Sequence, residues 1–272
     1  MRPPLDGSVV LITGASAGLG AEFARQLALR ARALVLAARR ADRLEALAAE
    51  LRAARPGLTV VCHAADLAAP DAMDALCARA ESELGAVDVL INNAGFGDFH
   101  FFEDASWPRL AQLLDLNVKS LTYLAWKLYP GMLRRGRGGI LNVSSSIGLE
   151  PVPGFAAYAG SKHYVTGFTE ALRLEGRGRG VVVSQVCPGP VDTEFNEVAS
   201  YQAGLEPAFV HLDARTCVRA ALAGFARGRA LIVPGFWMRL VIGLGALSPR
   251  WLKRLIMGGL TPSLRARQKA SG

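Results

Sequence analysis

The sequence predicts an α/β fold in which helices cover both faces of a doubly wound parallel sheet. Three observations predict it. Apolar runs that read as strands recur at Val9, Leu34, Val60, Val87, Ile140, Val181 and Leu231, with helical patterns between most of them. Strands that alternate with helices form parallel sheets. The first run, Val9-Val10-Leu11-Ile12, passes through a glycine-rich turn into a helix with apolar positions at Phe23 and Leu27. Hydrophobic residues make up 51% of the 272, enough to bury a sheet on both faces. No linker, internal repeat or low-complexity block divides the chain, so one domain is expected over 1–272.

The turn after the first strand reads Thr13-Gly-Ala-Ser-Ala-Gly-Leu-Gly20. Gly14 allows a tight turn, Gly18 a close approach of backbone to a pyrophosphate, and Gly20 close helix–strand packing. The helix N-terminus then offers free N–H groups and a positive dipole end to phosphates. The second strand ends at Ala38 and is followed by Arg39 and Arg40. A carboxylate at this place would hold a ribose 2′-hydroxyl, whereas arginine suits a 2′-phosphate. The sequence therefore predicts NADP(H), with Arg39 as the main reader and Arg40 as its helper. Asp66, after the third strand, reads on its own as an N-cap for the next helix.

Asn92-Asn-Ala-Gly95 follows the fourth strand and Asn142-Val-Ser-Ser-Ser-Ile-Gly148 spans the end of the fifth. Each taken alone is also an ordinary polar turn. Tyr158-Ala-Gly-Ser-Lys162 precedes an apolar pattern at Val165, Phe168 and Leu172. Residues four apart share one face of a helix. An ammonium beside a phenol lowers its pKa, and such a phenol exchanges protons with an alcohol or carbonyl near neutral pH.

Taken together, these motifs resemble those of the short-chain dehydrogenase/reductase family over residues 5 to 195. The resemblance implies a Rossmann-like sandwich with a seven-stranded parallel sheet and the cofactor at the switch point. It implies catalysis by Asn117, Ser145, Tyr158 and Lys162, with Tyr158 as proton donor. Ser145 would bind the same substrate oxygen, Lys162 the nicotinamide ribose, and Asn117 a water. It implies that Gly14, Ser16, Gly18, Leu19, Gly20, Asp66, Asn93, Ala94, Gly95, Pro188, Gly189, Val191 and Thr193 line the cofactor, joined by Tyr158 and Lys162. Many NADP-dependent relatives carry a basic residue before the second glycine, where this chain has Ala17. The implied reaction interconverts a carbonyl and a secondary alcohol by hydride transfer. A non-catalytic NADP(H)-sensing module is the alternative. No Gly-x-Ser-x-Gly elbow surrounds Ser145, which argues against a hydrolase.

The net charge is +8, but the arginines are scattered through Ala-rich segments without interleaved aromatics, and no nucleic-acid partner is expected. Cys62, Cys77, Cys187 and Cys217 lack paired or metal-binding spacing, so no metal is expected and a reducing, cytoplasmic setting fits. The segment 194–213, with Asn196, Tyr201, Phe209 and His211, falls where the family places a substrate lid. Phe96, Phe99, Phe101 and Phe102 are expected on one wall of an apolar pocket, and Pro151, Val152 and Phe155 on another. Such a pocket favours a lipid-, isoprenoid- or steroid-like carbonyl. Residues 236–272 form an apolar and basic extension. Its segment 236–260 leaves two readings open: packing over the pocket or against another subunit, and peripheral membrane contact. Gly176, after Glu175, predicts early fraying of the Tyr158 helix. The family commonly forms dimers or tetramers through that helix, and a homo-oligomer is expected.

Overall fold

The computed structural model describes residues 1–69, 71–199 and 208–271. Seven strands form one parallel sheet. In chain order they are β1 (Val9–Thr13), β2 (Ala33–Ala38), β3 (Thr59–Ala64), β4 (Val89–Asn92), β5 (Gly138–Val143), β6 (Val181–Val186) and β9 (Leu231–Ile232), arranged β3-β2-β1-β4-β5-β6-β9. Two further strands, β7 (Val191–Asp192) and β8 (Leu212–Asp213), pair with each other outside it. The order reverses between β1 and β4, where Val10 lies opposite Leu34 on one side and Val89 on the other. Ligand crevices of open α/β sheets form at such reversals, beyond the carboxyl ends of the strands.

The strand sequences explain this sheet. Every residue of β1, β2, β5 and β6 is buried, so these strands read as continuous apolar runs. Side chains alternate between the two layers. Val10, Ile12, Leu34 and Leu36 face a core shared with α1 (Gly18–Ala28), α2 (Ala41–Ala54) and α8 (Ala214–Ala226). Val9, Leu11, Ala33 and Val35 face a core shared with α3 (Ala72–Leu84), α5 (Leu121–Arg134) and α6 (Ala156–Glu175). Phe225 of α8 is fully buried in the first layer.

The remaining elements belong to the site. α4 (Trp107–Leu114) runs into a π-helical turn, Asp115–Ser120, before α5 begins. π-turns of this kind cluster at functional positions. α6 continues unfrayed to Glu175, contrary to the expectation from Gly176. That glycine instead gives room to the Tyr129 hydroxyl, which donates to the Leu172 carbonyl (3.2 Å). The β7–β8 pair, which no periodicity announced, joins the two ends of the 194–213 segment. Short α7 (Phe195–Val198) lies inside that segment, whereas Tyr201 falls outside the described residues. The extension forms α9 (Phe236–Leu247) and α10 (Arg250–Ser271).

Truncating Phe225 leaves a cavity beside the sheet that the layer cannot refill. Phe225→Ala is expected to lower stability by about 3–5 kcal/mol, measured by urea unfolding.

Candidate active site

The glycine turn takes the conformation its sequence prescribes. Gly14 has φ +66°, a region that L side chains rarely adopt. A Cβ at Gly20 would overlap the Gly14 carbonyl oxygen. α1 starts at Gly18 without a side-chain cap, and its first turn holds no acid, so its leading N–H groups remain available to an anion. Leu19 is half-buried behind them and packs against the core. The Thr13 hydroxyl accepts from the backbone N–H groups of Asn93 (3.0 Å) and Ala94 (2.9 Å), and the Asn93 amide donates to the Thr13 carbonyl (2.9 Å). This joins the glycine turn to the Asn-Ala-Gly loop. Asn92 is structural: its amide donates to Asn142 Oδ1 (3.0 Å).

Across the crevice, α6 presents Tyr158 and Lys162, both only 4% exposed. Lys162 Nζ donates to the Val143 carbonyl at the end of β5 (2.8 Å). An ammonium has three donors, and this bond uses one of them. Ser144 ties α6 to the β5 loop through the Lys162 carbonyl (3.1 Å) and Thr166 Oγ1 (3.1 Å). Ser145, one residue on, accepts from the Ile147 N–H (3.2 Å) and lies near enough to the Tyr158 phenol to oppose its upward pKa shift. Thus Ser145, Tyr158 and Lys162 converge as the sequence predicts.

The electrostatics differ from the simple expectation. Burial pushes the Tyr158 phenol up to about 12, opposed by Ser145. Burial also pulls Lys162 down to about 8. Lys162 Nζ lies 5.8 Å from the Tyr158 ring centroid. Desolvation is the largest cause of both shifts.

Asn117 is buried in the π-helical turn. Its amide donates to the Phe96 carbonyl (3.0 Å) and Ser161 Oγ (3.2 Å), and its oxygen accepts from the Phe96 N–H (3.1 Å). Gly95 passes so close that a Cβ there would lie 2.8 Å from Asn117 Oδ1 and 3.6 Å from Lys162 Nζ. Asn117 thereby positions the Asn-Ala-Gly loop against Lys162.

Beyond β2, Arg39 and Arg40 are exposed. Arg40 reaches back to Ser16 Oγ (3.4 Å) and pairs with Glu194 (2.9 Å), which also pairs with Arg43 (2.5 Å). Arg43 and Glu194 were not singled out from the sequence. Arg43 lies one turn beyond Arg40 on α2, a spacing that could have flagged it. Asp66 accepts from the Ala68 N–H (3.0 Å) in a local turn. It does not cap α3, which starts later, after Asp71.

Pro188 accepts through its carbonyl from the Ser146 N–H (2.8 Å). Gly189 packs against Met238 of α9, and Thr193 against Gly18. Val191 is half-buried in β7. An aromatic cluster surrounds Tyr158. Phe96, Phe99, Phe101 and Phe155 are buried in it, with Val152 and Phe195 at its margin. Two expected wall residues fall elsewhere: Phe102 is 67% exposed and Pro151 is exposed, because both side chains turn out of their loops. Leu264 of α10 joins the cluster, and Gln268 accepts from the Phe101 N–H (2.7 Å). The far half of the extension therefore packs over the aromatic cluster.

The sheet reversal, the glycine turn and the Tyr158–Lys162 pair together define a nicotinamide-nucleotide-dependent oxidoreductase. The family model for short chain dehydrogenases matches residues 8–203, and the chain belongs to the short-chain dehydrogenase/reductase family. An uncharacterized oxidoreductase of Mycobacterium tuberculosis is 33% identical over 249 residues, spanning 90% of this chain and 96% of the relative. A short-chain dehydrogenase from Sphingobium yanoikuyae in complex with NADPH is 33% identical, with TM-score 0.78 over 89% of this chain and 97% of that one. A family member from Burkholderia phymatum in complex with NAD is 26% identical, also with TM-score 0.78, over 89% and 93% of the two chains.

Two outcomes are expected. Lys162 loses its charge as pH rises through about 8, so kcat/KM for carbonyl reduction should fall above that pH. A profile flat through this range would show that the charged amine is not required. Freeing Arg40 and Arg43 with Glu194→Gln should tighten NADPH about two- to five-fold while leaving NADH unchanged, as read by fluorescence titration.

Proposed function

We propose that this enzyme is an NADP(H)-dependent carbonyl reductase or secondary-alcohol dehydrogenase acting on apolar, lipid-, isoprenoid- or steroid-like substrates. The observation that carries this reading is the buried Tyr158 hydroxyl with Ser145 beside it, one helical turn from Lys162 and inside an aromatic shell. When bound, the nicotinamide nucleotide supplies or accepts the hydride. Tyr158 donates a proton to the substrate oxygen while Ser145 hydrogen-bonds that same oxygen, so charge developing there meets two donors. Burial keeps Tyr158 protonated at neutral pH, which suits reduction. Lys162 holds the nicotinamide ribose and fixes its distance from Tyr158. Phe96, Phe99 and Phe155 exclude water and offer apolar contact.

Three arginines support the 2′-phosphate preference. Arg39 directly follows Ala38 and makes no ion pair among the described residues, leaving its fork free for a phosphate. Arg40 and Arg43 stand beside it, with Glu194 as an exchangeable partner. A sensing module would need the nucleotide cradle but not a proton donor in an apolar shell. Residues 194–213 would act as a lid, anchored at its base by the β7–β8 pair. Exposed Trp126 on α5, with Tyr164 and Leu174 on α6, gives a homo-oligomer an apolar contact face. Four unpaired cysteines fit a reducing, cytoplasmic setting.

Oxidation of NADPH should be followed against ketones graded by chain length and ring number. Tyr158→Phe is expected to lose at least about 10² in kcat while retaining NADPH affinity. Arg39→Ala is expected to weaken NADPH at least about ten-fold and NADH little. Full turnover by Tyr158→Phe would remove the proton-donor assignment and restore the sensing reading.

A further inference from the structure

We propose that α9 and the first half of α10 are a docking surface for an anionic phospholipid bilayer, lying along its headgroup region. α9 is attached to the fold along a narrow stripe. Met238 and Ile242 pack with Val210, and Met238 also meets Gly189. Apart from Arg239, the rest of this helix is apolar yet largely exposed: Phe236, Trp237 (which also meets the Phe209 ring), Leu240, Val241, Leu244 and Leu247, the last 85% accessible. At about 100° per residue these side chains fall in one continuous arc pointing away from Met238 and Ile242. On α10, Leu264 near the far end is buried, while Trp251, Leu255, Ile256 and Leu260 in the first half are exposed. Glu150 meets both helices near their junction, through a salt bridge to Lys253 (2.7 Å) and contact with Gly245. Glu150 thereby anchors the junction between the two helices. A patch of this kind marks an interaction site.

Charge selects the partner. No Asp or Glu follows Asp213 anywhere in the sequence. Arg239, Arg250 and Arg254 are exposed and make no ion pair among the described residues. Exposed Trp and Leu flanked by unpaired arginines match the headgroup boundary of an anionic bilayer. A second copy docked on the same face would set these basic residues against themselves, which disfavours a symmetric dimer there. No helix among the described residues is long and apolar enough to cross a membrane, and the proposed contact is with the headgroup region alone. The same α10 covers the aromatic cluster with Leu264 and Gln268, which places the docking helix next to the pocket. The proposal does not rest on which carbonyl is the substrate.

The test is flotation of the full chain with vesicles of phosphatidylcholine alone and of phosphatidylcholine mixed with phosphatidylglycerol. Tryptophan emission is read in parallel. The expected result is binding to the mixed vesicles only, weakened by salt, with a blue shift that Trp237→Phe/Trp251→Phe removes. Leu244→Asp/Leu255→Asp should weaken binding at least about ten-fold, and Arg250→Glu/Arg254→Glu by a similar factor. Turnover of a small water-soluble ketone should be unchanged in each variant, which shows that it has folded. The arginine variant, altered only at exposed sites, decides the matter if the aspartate variant fails to fold. Absence of binding to mixed vesicles, or equal binding by the arginine variant, overturns the proposal. So does a dimer, seen by light scattering, that Leu244→Asp/Leu255→Asp converts to monomer without any vesicle binding.

Discussion

The Thr13 hydroxyl is the point on which the site depends. It stands at the end of β1, beside the sheet reversal, and receives the N–H groups of Asn93 and Ala94 from the end of β4. Two loops that approach a nucleotide from opposite sides are thereby fixed to one atom. Further along, Gly95 comes within touching distance of Asn117 and Lys162. The position of the nucleotide cradle and that of the Tyr158 helix are consequently linked through a short, buried series of contacts. Buried polar contacts of this kind specify geometry, since any broken member leaves a costly unpaired group.

Burial sets the chemistry of the site as much as it sets the fold. Burial raises the Tyr158 pKa and lowers that of Lys162. A phenol that remains protonated is a proton donor, and an amine that is only weakly held in its charged form responds to small changes around it. The aromatic cluster draws on widely separated parts of the chain, among them the loop after β4, the segment before α6, Phe195 and α10. The opposite end of the crevice has its own contact of this type. Glu194 holds Arg40 and Arg43, and the next residue, Phe195, borders the aromatic cluster, so two adjacent residues touch both ends of the crevice.

The sequence by itself determined the sheet, because strands buried on both faces must be apolar throughout and helices between them must be periodic. It also determined the glycine turn and the Tyr158–Lys162 pair, whose spacing along single elements is local information, whereas Ser145 was legible only through the family resemblance. It did not determine the π-helical turn at Asn117 or the β7–β8 pair, since neither has a periodicity of its own. Phe102 and Pro151 were misplaced for a related reason: loop side chains have no repeat that states which way they face. The Glu194–Arg40–Arg43 contact and the packing of Leu264 beside Tyr158 join residues far apart in the chain. Only the tertiary structure decided those, because proximity across such separations arises from how the layers pack and not from any local pattern.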